Sequence, residues 1–301
     1  MKNLLLALAV FVVIISCKKK PVITPVTIAE RIEITTPAAS VLSNNSTVFT
    51  IKYYNNMGQV APAPANITWQ SNNNNIATVN GLGVATGISV GQATITATYN
   101  SNIVATALLS VVANPMQLAT IGITPASPLE LKLNEAFSLQ ATGYNLNGGI
   151  VSGLNFNWAT QNNSIANLSS TTVVGANYGT TNITAASSGI QSAPLVVQVI
   201  RKGSFVTAGS GGMAKLKIES GMLRLQTTPD FVSSLTAPDL RIFLTNNTNS
   251  IAGGLLVAPL IMRTGAQIWD VPTNPSITQY RYALIWCVIA NIAYGYADLG
   301  L

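Results

Sequence analysis

Gly91-Gln92-Ala93-Thr94-Ile95-Thr96-Ala97-Thr98 sets apolar or small residues against polar ones at every second position, the period of a strand with one buried face. Eighty-eight residues later Gly179 again leads into Ile183-Thr184-Ala185. Further out, Ile32-Glu33-Ile34-Thr35 is matched by Ile121-Gly122-Ile123-Thr124, and Trp69, Ile76 and Val79 by Trp158, Ile165 and Leu168, each 89 residues on. A nearly constant offset across three segments marks two copies of one module. Runs such as Val48-Phe49-Thr50-Ile51 lie between Asn and Gly clusters, and no stretch of either copy has a 3.6-residue period. Each copy therefore reads as an antiparallel sandwich with one buried face per sheet.

The string Trp69-Gln-Ser-Asn-Asn-Asn-Asn-Ile76-Ala77-Thr78-Val79, followed by Gly83-Val84-Ala85-Thr86-Gly87 and the Gly91 strand, resembles the bacterial immunoglobulin-like domain of group two across residues 27–113. The second copy, residues 116–200, keeps Trp158, Ile165, Gly175, Gly179 and Ile183 but replaces the middle with Ser169-Ser170-Thr171-Thr172. The resemblance implies that Trp69 and Trp158 anchor the cores, where a buried Trp covers about 150–250 Å². Stacking on carbohydrate is the rival role for these rings. Residues 114–117, with Pro115, and Ile200-Arg201-Lys202-Gly203 read as joints. Joints this short predict a semi-rigid rod.

From residue 201 the composition changes. Residues 27–113 hold two basic residues and residues 116–200 hold one, whereas 201–301 hold eight basic and five acidic ones. Ala237-Pro238-Asp239-Leu240-Arg241-Ile242-Phe243-Leu244, Gly265-Ala266-Gln267-Ile268-Trp269-Asp270-Val271-Pro272, Tyr280-Arg281-Tyr282-Ala283-Leu284-Ile285-Trp286-Cys287 and Gly295-Tyr296-Ala297-Asp298-Leu299 follow in order. Together they resemble the DM-thirteen domain, often labelled electron-transfer. That resemblance implies a third, different all-β domain, sandwich or barrel-like, and a redox role for Cys287. The residues themselves favour a packed thiol, because Ala283 to Ile289 is apolar at every position, as in a strand buried on both faces. Arg281 lies six residues away, nearly 20 Å along a strand, too far to stabilise a thiolate. Gly209-Ser210-Gly211-Gly212 lacks the Lys-Ser/Thr of a phosphate loop and reads as a hairpin. Asp239 and Asp270 are too isolated in sequence to propose a calcium site.

At the other end, Lys2 is followed by an apolar run from Leu4 to Ile15 and then by Ser16 and Cys17. This is the pattern of a signal peptide, residues 1–16, and too short a run for a spanning helix of about 20 residues. Ile14-Ile15-Ser16-Cys17 resembles the lipobox of bacterial lipoproteins, which implies that Cys17 becomes the acylated first residue and the anchor to the membrane. Residues 17–26 would be the lipidated Cys and an extended linker with Pro21 and Pro25. Lys18, where enteric lipoproteins kept in the inner membrane have Asp, implies an outer-membrane location in the cell envelope after secretion across the inner membrane. Four of the fifteen basic residues are Lys2, Lys18, Lys19 and Lys20, so from Pro21 onward 11 basic face 9 acidic residues. No basic cluster suited to nucleic acid remains on the folded part.

The chain has no His and only two Cys. Ser-His-Asp and Cys-His catalysis, His-ligated zinc or haem, and an internal dithiol relay are thereby excluded. No cofactor or metal is expected, no hydrolytic active site is visible, and no carboxylate pair suggests a glycosidase. Three functions are compatible with these residues. One is an Ig-like stalk presenting the last domain for binding or adhesion to an envelope or extracellular protein or polymer. The second is a redox protein exchanging electrons or thiols through Cys287 with a partner. The third is a purely structural envelope component.

Overall fold

The computed structural model describes residues 29–206 and 210–300. The signal segment, Cys17, the triple lysine, the linker and Gly209 lie outside the described residues. Every regular element among the described residues is a β-strand.

The first module contains β1 (Arg31–Ile34), β2 (Ala38–Leu42), β3 (Ser46–Val48), β4 (Ile51–Tyr54), β5 (Val60–Ala61), β6 (Thr68–Ser71), β7 (Ala77–Val79), β8 (Val84–Gly87), β9 (Gly91–Tyr99) and β10 (Ile103–Val112). Its sheets are ordered β1-β4-β5, β3-β8-β7 and β2-β10-β9-β6. Ala93, Ile95 and Ala97 of β9 face a core with Ile32, Phe49, Leu109 and Val111, which is the alternation that the sequence displays. The second module contains β11 (Leu118–Thr124), β12 (Leu129–Leu131), β13 (Ala136–Ser138), β14 (Gln140–Asn145), β15 (Ile150–Val151), β16 (Asn157–Thr160), β17 (Ala166–Ser169), β18 (Thr172–Gly175), β19 (Gly179–Ser187), β20 (Ile190–Gln191) and β21 (Leu195–Val199). Its sheets are β11-β14-β15, β13-β18-β17 and β12-β21-β19-β16, the first module's order strand for strand. Here the last long strand is divided into β20 and β21 across Pro194.

The sandwiches are not wholly antiparallel. β2 runs parallel to β10, and β12 parallel to β21. In both modules the first strand pairs with one sheet, breaks at proline and resumes on the other. Pro37 precedes β2, and Pro125 and Pro128 precede β12. Proline has no N–H for the ladder, so the strand can change sheets there. Gly91 and Gly179 both take φ +149°, and a Cβ on either would lie 2.9 or 3.0 Å from the side chain of Ile76 or Ile165. The repeated Gly and Ile are therefore one packing contact kept twice.

The third domain comprises β22 (Arg201–Val206), β23 (Met213–Glu219), β24 (Met222–Thr227), β25 (Leu240–Thr245), β26 (Leu255–Pro259), β27 (Ile268–Asp270), β28 (Tyr282–Cys287) and β29 (Ile292–Asp298). They form one antiparallel sheet in the order β26-β25-β28-β29-β22-β23-β24-β27, whose end strands approach each other. The result is a nearly closed barrel, filled by Leu216, Leu225, Leu240, Ile242 and Ile285. β22 pairs antiparallel with β23, and Gly211 bridges to Val232.

Both joints are tight. At the first, the Gln92 amide donates to Gln191 O (3.0 Å) and accepts from Gln191 N (3.2 Å). At the second, only the buried Ile200 separates β21 from β22, and Glu130 binds Lys215 at 2.7 Å and Lys202 at 3.8 Å. Contrary to the expected rod, the N-terminal edge of the first module and the third domain border one cleft, so the modules do not lie in line. Side-chain contacts across each seam set the angle, and linker length does not encode them.

Candidate functional site

β28 is buried from Ala283 to Cys287 and separates two apolar groups. Ala283, Ile285 and Cys287 point into the barrel, while Leu284 and Trp286 pack with Phe243 on the outer side. Cys287 is a free thiol with 0 % exposure, placed opposite Leu240 and Ile292. Arg281 sits at the opposite end of the strand, bound to Asp298 at 2.7 Å. That bond holds the Asp298 carboxyl below its ordinary value, outweighing the opposing effect of burial. The strand ends at Cys287, and Ile289 is 70 % exposed, so the apolar run expected to extend to Ile289 turns outward two residues earlier. The thiol is thus surrounded by apolar side chains of the barrel core.

The two repeated tryptophans are half-buried. Trp69 and Trp158 pack against their cores from β6 and β16, the edge strands of their sheets. Trp69 meets Phe49 with ring centroids 6.5 Å apart. Both rings thus pack at the margin of each core and are only partly buried.

The polar surface of the barrel follows from alternation. In Met213-Ala-Lys-Leu-Lys-Ile-Glu219 and Met222-Leu-Arg-Leu-Gln226, alternate residues point outward as Lys215, Lys217, Glu219, Arg224 and Gln226. Lys217 and Arg224 stand opposite each other across the ladder, an arrangement that destabilises unless countercharges intervene. Glu219 supplies one, at 3.5 Å from Lys217 and 2.6 Å from Arg224, and Asp270 the other, at 2.7 Å from Arg224. Burial by itself would raise the Glu219 carboxyl, but Lys217 and Arg224 outweigh it and lower it. For Arg224 burial pulls down, and the bonds to Asp270 and Glu219 more than restore it.

This charged wall faces a cleft of about 860 Å³, closed on the other side by Glu30, Arg31 and Glu33 of the first module. Arg31 is held there by Glu33 at 3.1 Å and lies 3.7 Å over the Tyr54 ring. At the rim Ile261 and Met262 are 77 % and 55 % exposed. Leu235 is 74 % exposed on a neighbouring loop, joined to theirs through the Val232–Thr264 bridge. The site can therefore offer paired charges and an apolar rim to a ligand or partner surface. The alternation of Lys and Glu with Leu and Ile was a signal for a charged exterior, but the cleft itself depends on how distant modules meet.

Folding does not bring Asp239 and Asp270 together into one acidic site. Asp239 pairs with Arg241 at 3.0 Å, and Asp270 with Arg224. Among the described residues no three His, Cys, Asp or Glu groups are placed to share a metal ion.

Residues 28–107 match the family described as bacterial Ig-like domain (group 2). No curated protein matches the chain. Among solved structures, domains 4 and 5 of the S-layer protein SbsC are similar at 20 % identity, covering 55 % of this chain and 94 % of that one, with a TM-score of 0.25. Domains 1–6 of the surface layer protein SbsC are similar at 16 % identity over 91 % of this chain and 39 % of that one, with a TM-score of 0.24. The Drosophila N-cadherin fragment EC1-3 shares 10 % identity over 84 % and 91 % of the two chains, with a TM-score of 0.22.

Proposed function

We propose that the chain is a cell-envelope lipoprotein in which two Ig-like modules carry the third β domain as a binding or adhesion unit. The observation that supports this most is the apolar double loop of Leu235, Ile261 and Met262 on the third domain, set beside the charged wall of Lys217, Glu219 and Arg224. Exposed apolar groups set beside polar and charged ones are a usual makeup of an interaction surface. The Ig-like modules supply a rigid and nearly uncharged carrier. Partners of suitable chemistry are proteins or polymers of the envelope or the extracellular space, and anchoring through acylated Cys17 would keep the site at the outer membrane.

The test is capture of solubilised envelope and extracellular fractions on the immobilised full chain, compared with the double variant Ile261→Asp, Met262→Asp. Both side chains are largely in solvent, so the fold should survive, and a specific partner should be lost. Equal capture by both proteins would refute the assignment of this surface. Anchoring is tested separately, by lipid incorporation into the chain and its loss in Cys17→Ser.

The redox reading requires that a partner reach Cys287. Burial of that thiol among Leu and Ile side chains favours the binding reading over it. Native alkylation of Cys287 at the rate of an exposed thiol would reverse the preference.

A further inference from the structure

The ladder between β28 and β29 ends at the pair Cys287 and Ile292, and the turn Val288-Ile289-Ala290-Asn291 joins them. Every residue from Val288 to Ile292 is exposed, and all but Asn291 are apolar. Ile289 keeps 70 % and Ile292 50 % of its surface in solvent. At the other end of the barrel, the loops of residues 246–254 and 271–281 expose no large aliphatic side chain. Single apolar residues are ordinary on a protein surface, but a contiguous uncharged tip confined to one end calls for a partner.

Two hydrogen bonds place this tip. Val288 N donates to Asp239 O at 3.0 Å, and Leu260 N donates to Leu240 O at 2.8 Å. The tip and the Ile261 loop therefore flank the start of β25 from either side, about 10 Å apart at two inter-strand spacings. Ile261 and Met262 border the cleft that Met57 and Ala29, the first described residue, also line. Cys17 precedes Ala29 by twelve residues, which reach at most about 40 Å when fully extended. A bilayer holding acyl chains on Cys17 thus lies within that distance of the cleft, and this end of the barrel stands at the cleft's rim.

Size decides what the tip can hold. A stable protein interface takes about 800 Å² from each side, some 20–30 residues, and the tip offers far fewer. A membrane already joined to the same chain needs less, because a short tether gives the second contact an effective concentration of about millimolar.

We propose that the Val288–Ile292 turn inserts its apolar side chains into the lipid bilayer that holds the anchor. The inference goes beyond the proposed function and rests on one part of it, the acylation of Cys17. None of the turn residues lines the cleft, so the surface of Ile261 and Met262 is left to the partner. The turn carries no cation, and its contact needs no anionic lipid.

The acylated full chain carrying Ile289→Cys, labelled there with an environment-sensitive dye and reconstituted into phosphatidylcholine vesicles, tests this. Cys287 is 0 % exposed, so the dye goes to the introduced thiol. Its emission should shift to the blue and lose most of its intensity when the lipid acyl chains are brominated. A dye on Asn249→Cys, exposed at the other end of the barrel, should behave as in water, and Ile292→Asp added to Ile289→Cys should restore most of the emission. Flotation with the vesicles reports the anchor separately. A chain that floats with residue 289 in water, or with residues 249 and 289 equally immersed, overturns the insertion and leaves the anchor standing. A chain that does not float overturns the anchor and the insertion with it. Shielding of residue 289 that arises only with solubilised envelope proteins assigns the tip to a protein, and shielding without vesicles that rises with chain concentration assigns it to a second copy; either result overturns the lipid contact.

Discussion

Cys287 occupies a position where polarity is expensive. Replacing its sulfur with a hydroxyl in Cys287→Ser should cost about 1–3 kcal/mol, because the barrel interior offers it few partners. A lower urea midpoint with an unchanged slope would report this. Gly91 is constrained in another way. Gly91→Ala places a Cβ 2.9 Å from Ile76 at φ +149°, a conformation that L residues rarely adopt. We expect a loss of at least about 1 kcal/mol, again read from the urea midpoint. Paired Gly91→Ala, Ile76→Val should recover part of it if the clash with Ile76 is the cause.

Edge strands set how much a repeated residue is worth. Trp69 stands on β6 at a sheet margin, so Trp69→Ala should cost about 3 kcal/mol, the lower end for a large aromatic side chain. Chemical denaturation checks it. On the barrel, β23, β24 and β27 share the ion network of Lys217, Glu219, Arg224 and Asp270. The folded Glu219 carboxyl lies below its ordinary value, near 4.3 in an unfolded chain. Its contribution is therefore fully present above about pH 4.3 and is lost as pH falls through the lower folded value. Stability measured by urea midpoints should fall on that acid limb, and Glu219→Gln should flatten it.

For the whole molecule the joints decide the shape. Strands of nine or ten residues make each of the first two modules roughly 30 Å long and seven-residue strands make the third about 23 Å, so three in line would extend over about 85 Å. A chain bent so that its first and third modules border one cleft should give a shorter maximum dimension in small-angle X-ray scattering. Glu130→Arg reverses the charge that binds Lys202 and Lys215 across the second seam. It should broaden the distance distribution while leaving the unfolding midpoints of the modules nearly unchanged. A distribution identical to wild type would show that packing around Ile200 alone holds that angle.

The amino-acid sequence by itself determined the two repeated sandwiches, the change of character at residue 201 and the apolar strand around Cys287. Those properties follow from local periodicity: side chains alternate on a strand, and a module repeated at 88 or 89 residues repeats its buried face. Only the tertiary structure decided that β2 and β12 cross to pair in parallel, that Trp69 and Trp158 sit at sheet margins, and that the wall of Lys217, Glu219 and Arg224 faces Glu30 and Glu33. It also set the tip of Ile289 and Ile292 near the Ile261 loop, a juxtaposition that no local pattern carries. These properties depend on the register and angle between segments far apart in the chain, where a few contacts at a joint outweigh any preference written along a single strand.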